Sequence, residues 1–473
     1  MSFLLFAQCV IAVPPSQNYV TAYEYAWQLR LNEAESVALQ KNEREHIKGI
    51  ATFLRGYISD EETQYKQTTG ELSNVISKLQ KEDDSFSKTA IAELYILSAS
   101  LKAKHGNRIA AALDFWRGYR KAKSNLNKYS GYLPAELHWG IIECGLGSLP
   151  AHLQQYLSWV GFSGDLDEGI ERLKACYAQT KSEVDWKHLS ILTGLAYVTT
   201  QVQLNNQNHV NLENIGLNPL QSPITVAIEA KLLFDNSKAQ QAYDLMEKHQ
   251  YHPNASVFPY LTYTHGRIAV TVNKTNAADL LNAFIDQTEG DFFVASAHRY
   301  LWWHYTLLDN HALAKHHREA IKCNNRNNTL TGADQLAVYE AQFDLNKHLL
   351  DARLLYDRGA FSKCIRHLTS QRANDICKND RERGEYFYRL GRCHQNLNQN
   401  QEALKRLDQS IAFFNNLETF ERGNALIQAG SINEHLDDCK RATEYYKQAL
   451  SFSDYPFVEG LHQKAKSGIK RCK

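Results

Sequence analysis

Trp302-Trp303-His304, with His311, His316 and His317 downstream, is the densest group of side chains in this chain that could ligate a metal or carry a proton. The spacing argues against both. His304 falls on one helical segment and His311 in the turn after Asp309 and Asn310, while the adjacent His316 and His317 point apart. No Cys or Glu stands where it would complete a ligand set. Asp165, Asp167 and Glu168 form an acidic group, but Asp165 sits where a helix starting at Leu166 needs an acceptor for its free N–H groups. There is no G-x-S-x-G and no H-E-x-x-H, and Gly140-x4-Gly145 lacks the Lys of a phosphate loop. The nine cysteines contain no C-x-x-C pair. Their spacings fit neither a zinc site nor a compact disulfide scaffold, and they read as thiols serving as small hydrophobes. These residues assign no catalytic group, no metal and no cofactor, and the expectation is a protein that is not an enzyme.

What repeats is packing. Gly391, Ala403, Leu407 and Ser410 are 12, 4 and 3 residues apart, and Gly430, Ala442, Tyr446 and Ala449 repeat those steps. Ala352, Cys364 and Leu368 show the first two. Fainter copies run through Ala230-Ala242-Met246, Gly266-Ala278, Trp302-Ala314, Leu157-Gly169-Leu173-Cys176 and Ala99-Ala111-Phe115-Gly118. A small residue that meets Ala 12 positions on lets two antiparallel helices approach closely, which predicts an all-α solenoid of helix pairs. Few Gly and Pro residues (24 and 9 of 473) suit long helices with short turns. The reading divides the chain into 1–13, an apolar run; 14–204, a divergent helical region; 205–223, a polar linker with Pro219 and Pro223; and 224–473, a regular array with a capping helix.

The 12-4-3 step is that of tetratricopeptide (TPR) units. Phe258-Pro259-Tyr260-Leu261 with Gly266-Arg267, and Glu385 through Arg392, resemble a group of exported bacterial TPR proteins. Leu149-Pro150 with Trp159-Val160-Gly161-Phe162-Ser163-Gly164-Asp165 is similar to a segment of the eukaryotic inclusion-body-clearance (tetratricopeptide repeat protein 39) family. The resemblance implies a TPR-like α-solenoid acting as a non-enzymatic scaffold.

In a TPR unit the residue after the inner helix's small position faces the concave groove. Here that gives Lys231, Arg267, Trp303, Arg353, Arg392 and Ser431, with Tyr263, Tyr356 and Tyr388 nearby. Four of the six are basic in a chain of net charge +1, so a ladder of cations is expected to engage a protein or peptide partner through an acidic or C-terminal carboxylate segment. The competing reading is that these cations pair with acids of neighbouring repeats and hold the stack. Two rival functions are a cell-envelope glycan-binding protein that stacks sugars on Trp and Tyr, and an enzyme on an α/α toroid. The repeat register disfavours the second.

Balanced charge disfavours a nucleic-acid partner, and no apolar stretch is long enough to span a membrane. The stripe Leu149–Val160 reads as core packing rather than a membrane contact. Phe3 through Val13, followed by Pro14-Pro15, has the length of a signal-peptide core without a basic leader. The expectation is export to the periplasm or cell envelope, with the cytoplasm as the alternative.

Overall fold

The computed structural model describes residues 14–129, 131–149, 161–203, 210–249, 258–323, 331–415, 417, 419–453, 455 and 457–472. The apolar run 1–13, all of Leu149–Val160 beyond its first residue, and Leu157 of the faint repeat lie outside them. Every regular element among the described residues is helical, and helices adjacent in sequence pack in pairs. The fold is an all-α, TPR-like solenoid. It forms two compact units: Met1–Glu229 with Glu247–Leu261 and Thr288–Gly290, and Ala230–Met246 with Thr262–Gln287 and Asp291–Lys473.

The first unit contains α1 (Gln17–Trp27), α2 (Leu31–Ser36), α3 (Lys41–Ser59), α4 (Glu62–Leu79), α5 (Ser85–Lys104), α6 (Arg108–Lys128), α7 (Leu133–Gly147), α8 (Leu166–Ser182) and α9 (Ser190–Gln203). Asp165 caps α8, accepting from the N–H groups of Asp167 and Glu168 at 2.8 and 3.0 Å, so that carboxylate is used structurally. Gly169 packs on Cys144, and Gly140 on Leu173. A further 12-4-3 step, Gly56-Thr68-Leu72-Val75, joins α3 to α4, and a Cβ on Gly56 would strike Thr68. Sequence reasoning passed over it because Thr occupies the usual Ala slot.

The division runs through α10 (Pro223–Asp235) and α12 (Pro259–Thr271). It also cuts the last turn of α11 (Ala239–His249), and the second unit continues with α13 (Ala277–Gln287), α14 (Val294–Leu307), α15 (His311–Cys323), α16 (Gly332–Glu340), α17 (Lys347–Asp357), α18 (Phe361–Thr369), α19 (Ala373–Ile376), α20 (Asp380–Asn396), α21 (Asn400–Phe413), α22 (Phe420–His435), α23 (Cys439–Ala449) and α24 (Val458–Arg471). The repeat spacing is visible as contact: a Cβ on Gly391 would meet Leu407 at 2.8 Å, and one on Gly430 would meet Tyr446 at 2.5 Å.

Two expectations need correction. A Cβ on Gly266 would meet Leu281, 15 residues on, where Gly391 and Gly430 meet residues 16 on, and Ala277 rather than Ala278 is the buried alanine, so the α12–α13 turn is one residue tighter than the consensus step. Cys144, Cys176, Cys364, Cys377 and Cys393 are buried free thiols, but Cys439 and Cys472 form a disulfide, their Cα atoms 5.1 Å apart. It joins the start of α23 to the residue after α24, a proximity that 33 residues of separation could not reveal.

Candidate partner-binding site

The second unit gathers several of the residues singled out from the repeat spacing into two clusters. In the first, Trp303 of α14 is 1% exposed, so its ring is a support rather than a contact surface. Arg353 of α17 lies over that ring at 4.4 Å and Arg299 at 4.9 Å. Arg353 Nη1 donates to Glu340 Oε1 at 2.8 Å. Burial pushes the Glu340 carboxyl up, but Arg353 and Arg299 outweigh it and hold the group below the usual carboxylate range. Arg353 is thus tied between an aromatic ring and a carboxylate of the preceding helix.

Beside this cluster opens a cavity of about 250 Å³, walled by Glu340, Arg353, Arg381, Tyr388, Arg389 and Glu421 among others. Its charges answer one another. Arg389 donates to Glu385 at 2.9 Å, and Arg381 pairs with Glu421, which also accepts from the Tyr339 hydroxyl at 3.1 Å. These pairs link α16, α17, α20 and α22, which is how an ion-pair network stiffens a repeat stack.

The second cluster differs. Arg392 of α20 donates to the hydroxyls of Tyr388 at 3.0 Å and Tyr356 at 2.5 Å, and Asn396 donates to Tyr356 at 3.0 Å. No carboxylate accepts from Arg392 among the described residues, and its Nε has no hydrogen-bond partner there. Lys464 of α24 faces this group, within electrostatic reach of Tyr388, Arg392, Asp235 and Lys231. It is open to water yet walled by protein. That crowding holds its ammonium below the ordinary lysine range, with Arg392 and Lys231 adding to the effect and Tyr388 and Asp235 opposing it. Asp357 is close by, and burial raises its carboxyl against the pull of Arg353, Arg389 and Arg392.

Lys231 pairs with Asp235 in its own helix, and Arg267 covers the ring of Phe234 at 4.7 Å. Sequence reasoning placed Tyr356, Tyr388 and Arg392 on one face, and they do meet. It missed Lys464, which lies in the helix read as a cap, and Glu340, which sits where the register breaks. In the histidine-rich segment, His317 stands against His298, their Nδ1 atoms 3.0 Å apart, and stacks on Tyr305.

The fold and this site define a TPR-like helical solenoid. No protein-family model and no curated protein sequence matches the chain. Among solved structures it is similar to the crystal structure of the APC/C hetero-tetramer Cut9-Hcn1, at 12% identity over 96% of this chain and 89% of that one, with a TM-score of 0.27. That degree of likeness transfers no partner and no site.

Proposed function

We propose that the chain is a non-enzymatic scaffold for protein–protein interaction, and that the second unit holds a partner segment bearing a carboxylate. The observation that carries this reading is Arg392, whose guanidinium is positioned by two tyrosine hydroxyls instead of being neutralised by an acid. A cation held this way keeps donors for a bidentate carboxylate contact, and Lys464 adds a second charge beside it. Lys231, Arg267, Tyr356 and Tyr388 would extend the contact, whereas Arg353 and Trp303 would shape it from beneath. An exported location is part of the proposal: a disulfide between Cys439 and Cys472 persists in oxidising compartments.

The test is capture of partners from the native host with the full chain and with Arg392→Gln/Lys464→Gln. Loss of the captured proteins at an unchanged melting temperature is the expected result. Unchanged capture sinks the groove reading. Binding of an oligosaccharide on a glycan array, lost in the same variant and without captured protein, would replace it with the glycan reading.

A further inference from the structure

Helix α6 buries one face on the first unit through Ala111, Gly118, Tyr119, Ala122 and Asn125. At 100° per residue, Ile109, Leu113 and Trp116 fall on the opposite side, one stripe at i, i+4 and i+7. They are 80%, 51% and 39% exposed. Single exposed apolar residues are ordinary, but three aligned on the face directly away from the core are not explained by packing.

The charges around them are one-sided. Helix α6 carries Arg108, Arg117, Arg120, Lys121, Lys123 and Lys128 against a single acid, Asp114. Asp114 is buried and occupied by Ser98, Lys102 and Arg117. Lys128 is paired with Asp83. Arg108, Arg120, Lys121 and Lys123 have no carboxylate partner among the described residues; Arg120 covers the ring of Trp116 at 4.8 Å and Lys123 reaches the Tyr119 hydroxyl at 3.3 Å. Arg120 and Lys123 continue the stripe at i+11 and i+14 from Ile109.

We propose that this face of α6 docks on an anionic lipid surface. Three projecting apolar side chains, one of them Trp, with unpaired Arg and Lys along the same line, match the division of labour in a membrane-surface helix: shallow apolar insertion, an aromatic ring at the headgroup level, and cations on lipid phosphates. The outward face of a single helix is convex and suits a flat, yielding surface; a peptide would need a groove. Charge complementarity selects anionic over zwitterionic lipid.

The experiment is co-sedimentation of the full chain with vesicles of phosphatidylcholine, with and without phosphatidylglycerol, at low and physiological ionic strength. Binding to the anionic vesicles alone, weakened by salt, is expected. Ile109→Ser/Leu113→Ser and Arg120→Glu/Lys123→Glu should each weaken it about tenfold or more at an unchanged melting temperature, since all four side chains are exposed. As an independent readout, vesicle addition should shift tryptophan emission to the blue in the parent and not in Trp116→Phe. The proposal is overturned if the parent ignores anionic vesicles or if the serine variant binds as well as the parent. It is also overturned if the stripe instead mediates a concentration-dependent dimer, or captures polyglutamate without binding vesicles.

Discussion

Glu93 of α5 is buried among side chains from three other helices. The Tyr23 hydroxyl donates to Oε1 at 2.9 Å, and His46 Nε2 and His138 Nε2 stand 3.3 and 3.4 Å from Oε2. His138 Nδ1 lies 2.6 Å from the Pro134 carbonyl oxygen, which can only accept, so that nitrogen carries a hydrogen. Both imidazoles thus stand within ion-pair distance of the Glu93 carboxylate. Burial works against the carboxylate, but His138 and His46 hold it well below the usual range. Glu93→Gln keeps the shape and removes the charge, and should cost about 3 kcal/mol in urea unfolding; a variant as stable as the parent would show the pair to be uncharged. Arg353 and Arg392 separate in the same way. Arg353→Gln removes the hydrogen-bonded partner of Glu340 and should destabilise by about 1–3 kcal/mol. Arg392→Gln leaves no carboxylate orphaned and should shift the melting temperature little, so equal losses for the two would show Arg392 to be structural.

At the level of elements, the end of the array shows what holds helices at close range. The ring of Tyr446 on α23 is clasped between Gly430 of α22 and Gly468 of α24; a Cβ at either position would strike it. Gly468→Ala should therefore displace α24 and cost about 1–3 kcal/mol, read by thermal unfolding. The Cys439–Cys472 disulfide closes the same three-helix end, and for a loop of this length chain entropy assigns it about 3–4 kcal/mol. Reduction, or Cys472→Ser, should expose α24 to limited proteolysis before the rest of the chain. Equal cleavage with and without reductant would show that packing on Tyr446 suffices. Gly430 and Tyr446 were legible because the demand for a small residue opposite a large one recurs at fixed steps. Gly468 and Cys472 were not, because they act across a turn of no fixed length. For the same reason the acids that neutralise Arg353 and Arg381 escaped notice. Glu340 and Glu421 lie in neighbouring helices, and a one-dimensional register gives the facing position of a cation without its partner.

At the scale of the molecule, both units hold histidines whose charging is opposed by burial, which ties stability to acid. His188 in the first unit and His298 and His317 in the second are each lowered to about 4, chiefly by burial. His316 adds to this at His298, and His298 and His316 add to it at His317. An unfolded histidine titrates near pH ~6.5. Between that value and about 4 the unfolded chain binds protons that the folded chain refuses, so folding weakens as pH falls through this window and not above it. Burial raises Asp334, Asp357 and Glu421, which opposes the trend. The melting temperature should hold steady above neutrality and drop steadily from about pH 6.5 towards 4.5. His298→Gln/His317→Gln removes two of these groups and should flatten that drop without removing it, because His188 still contributes from the other unit and burial also lowers His105, His304 and His348. A melting temperature indifferent to pH in this window, or a double variant as acid-sensitive as the parent, would show that these imidazoles are solvated in solution.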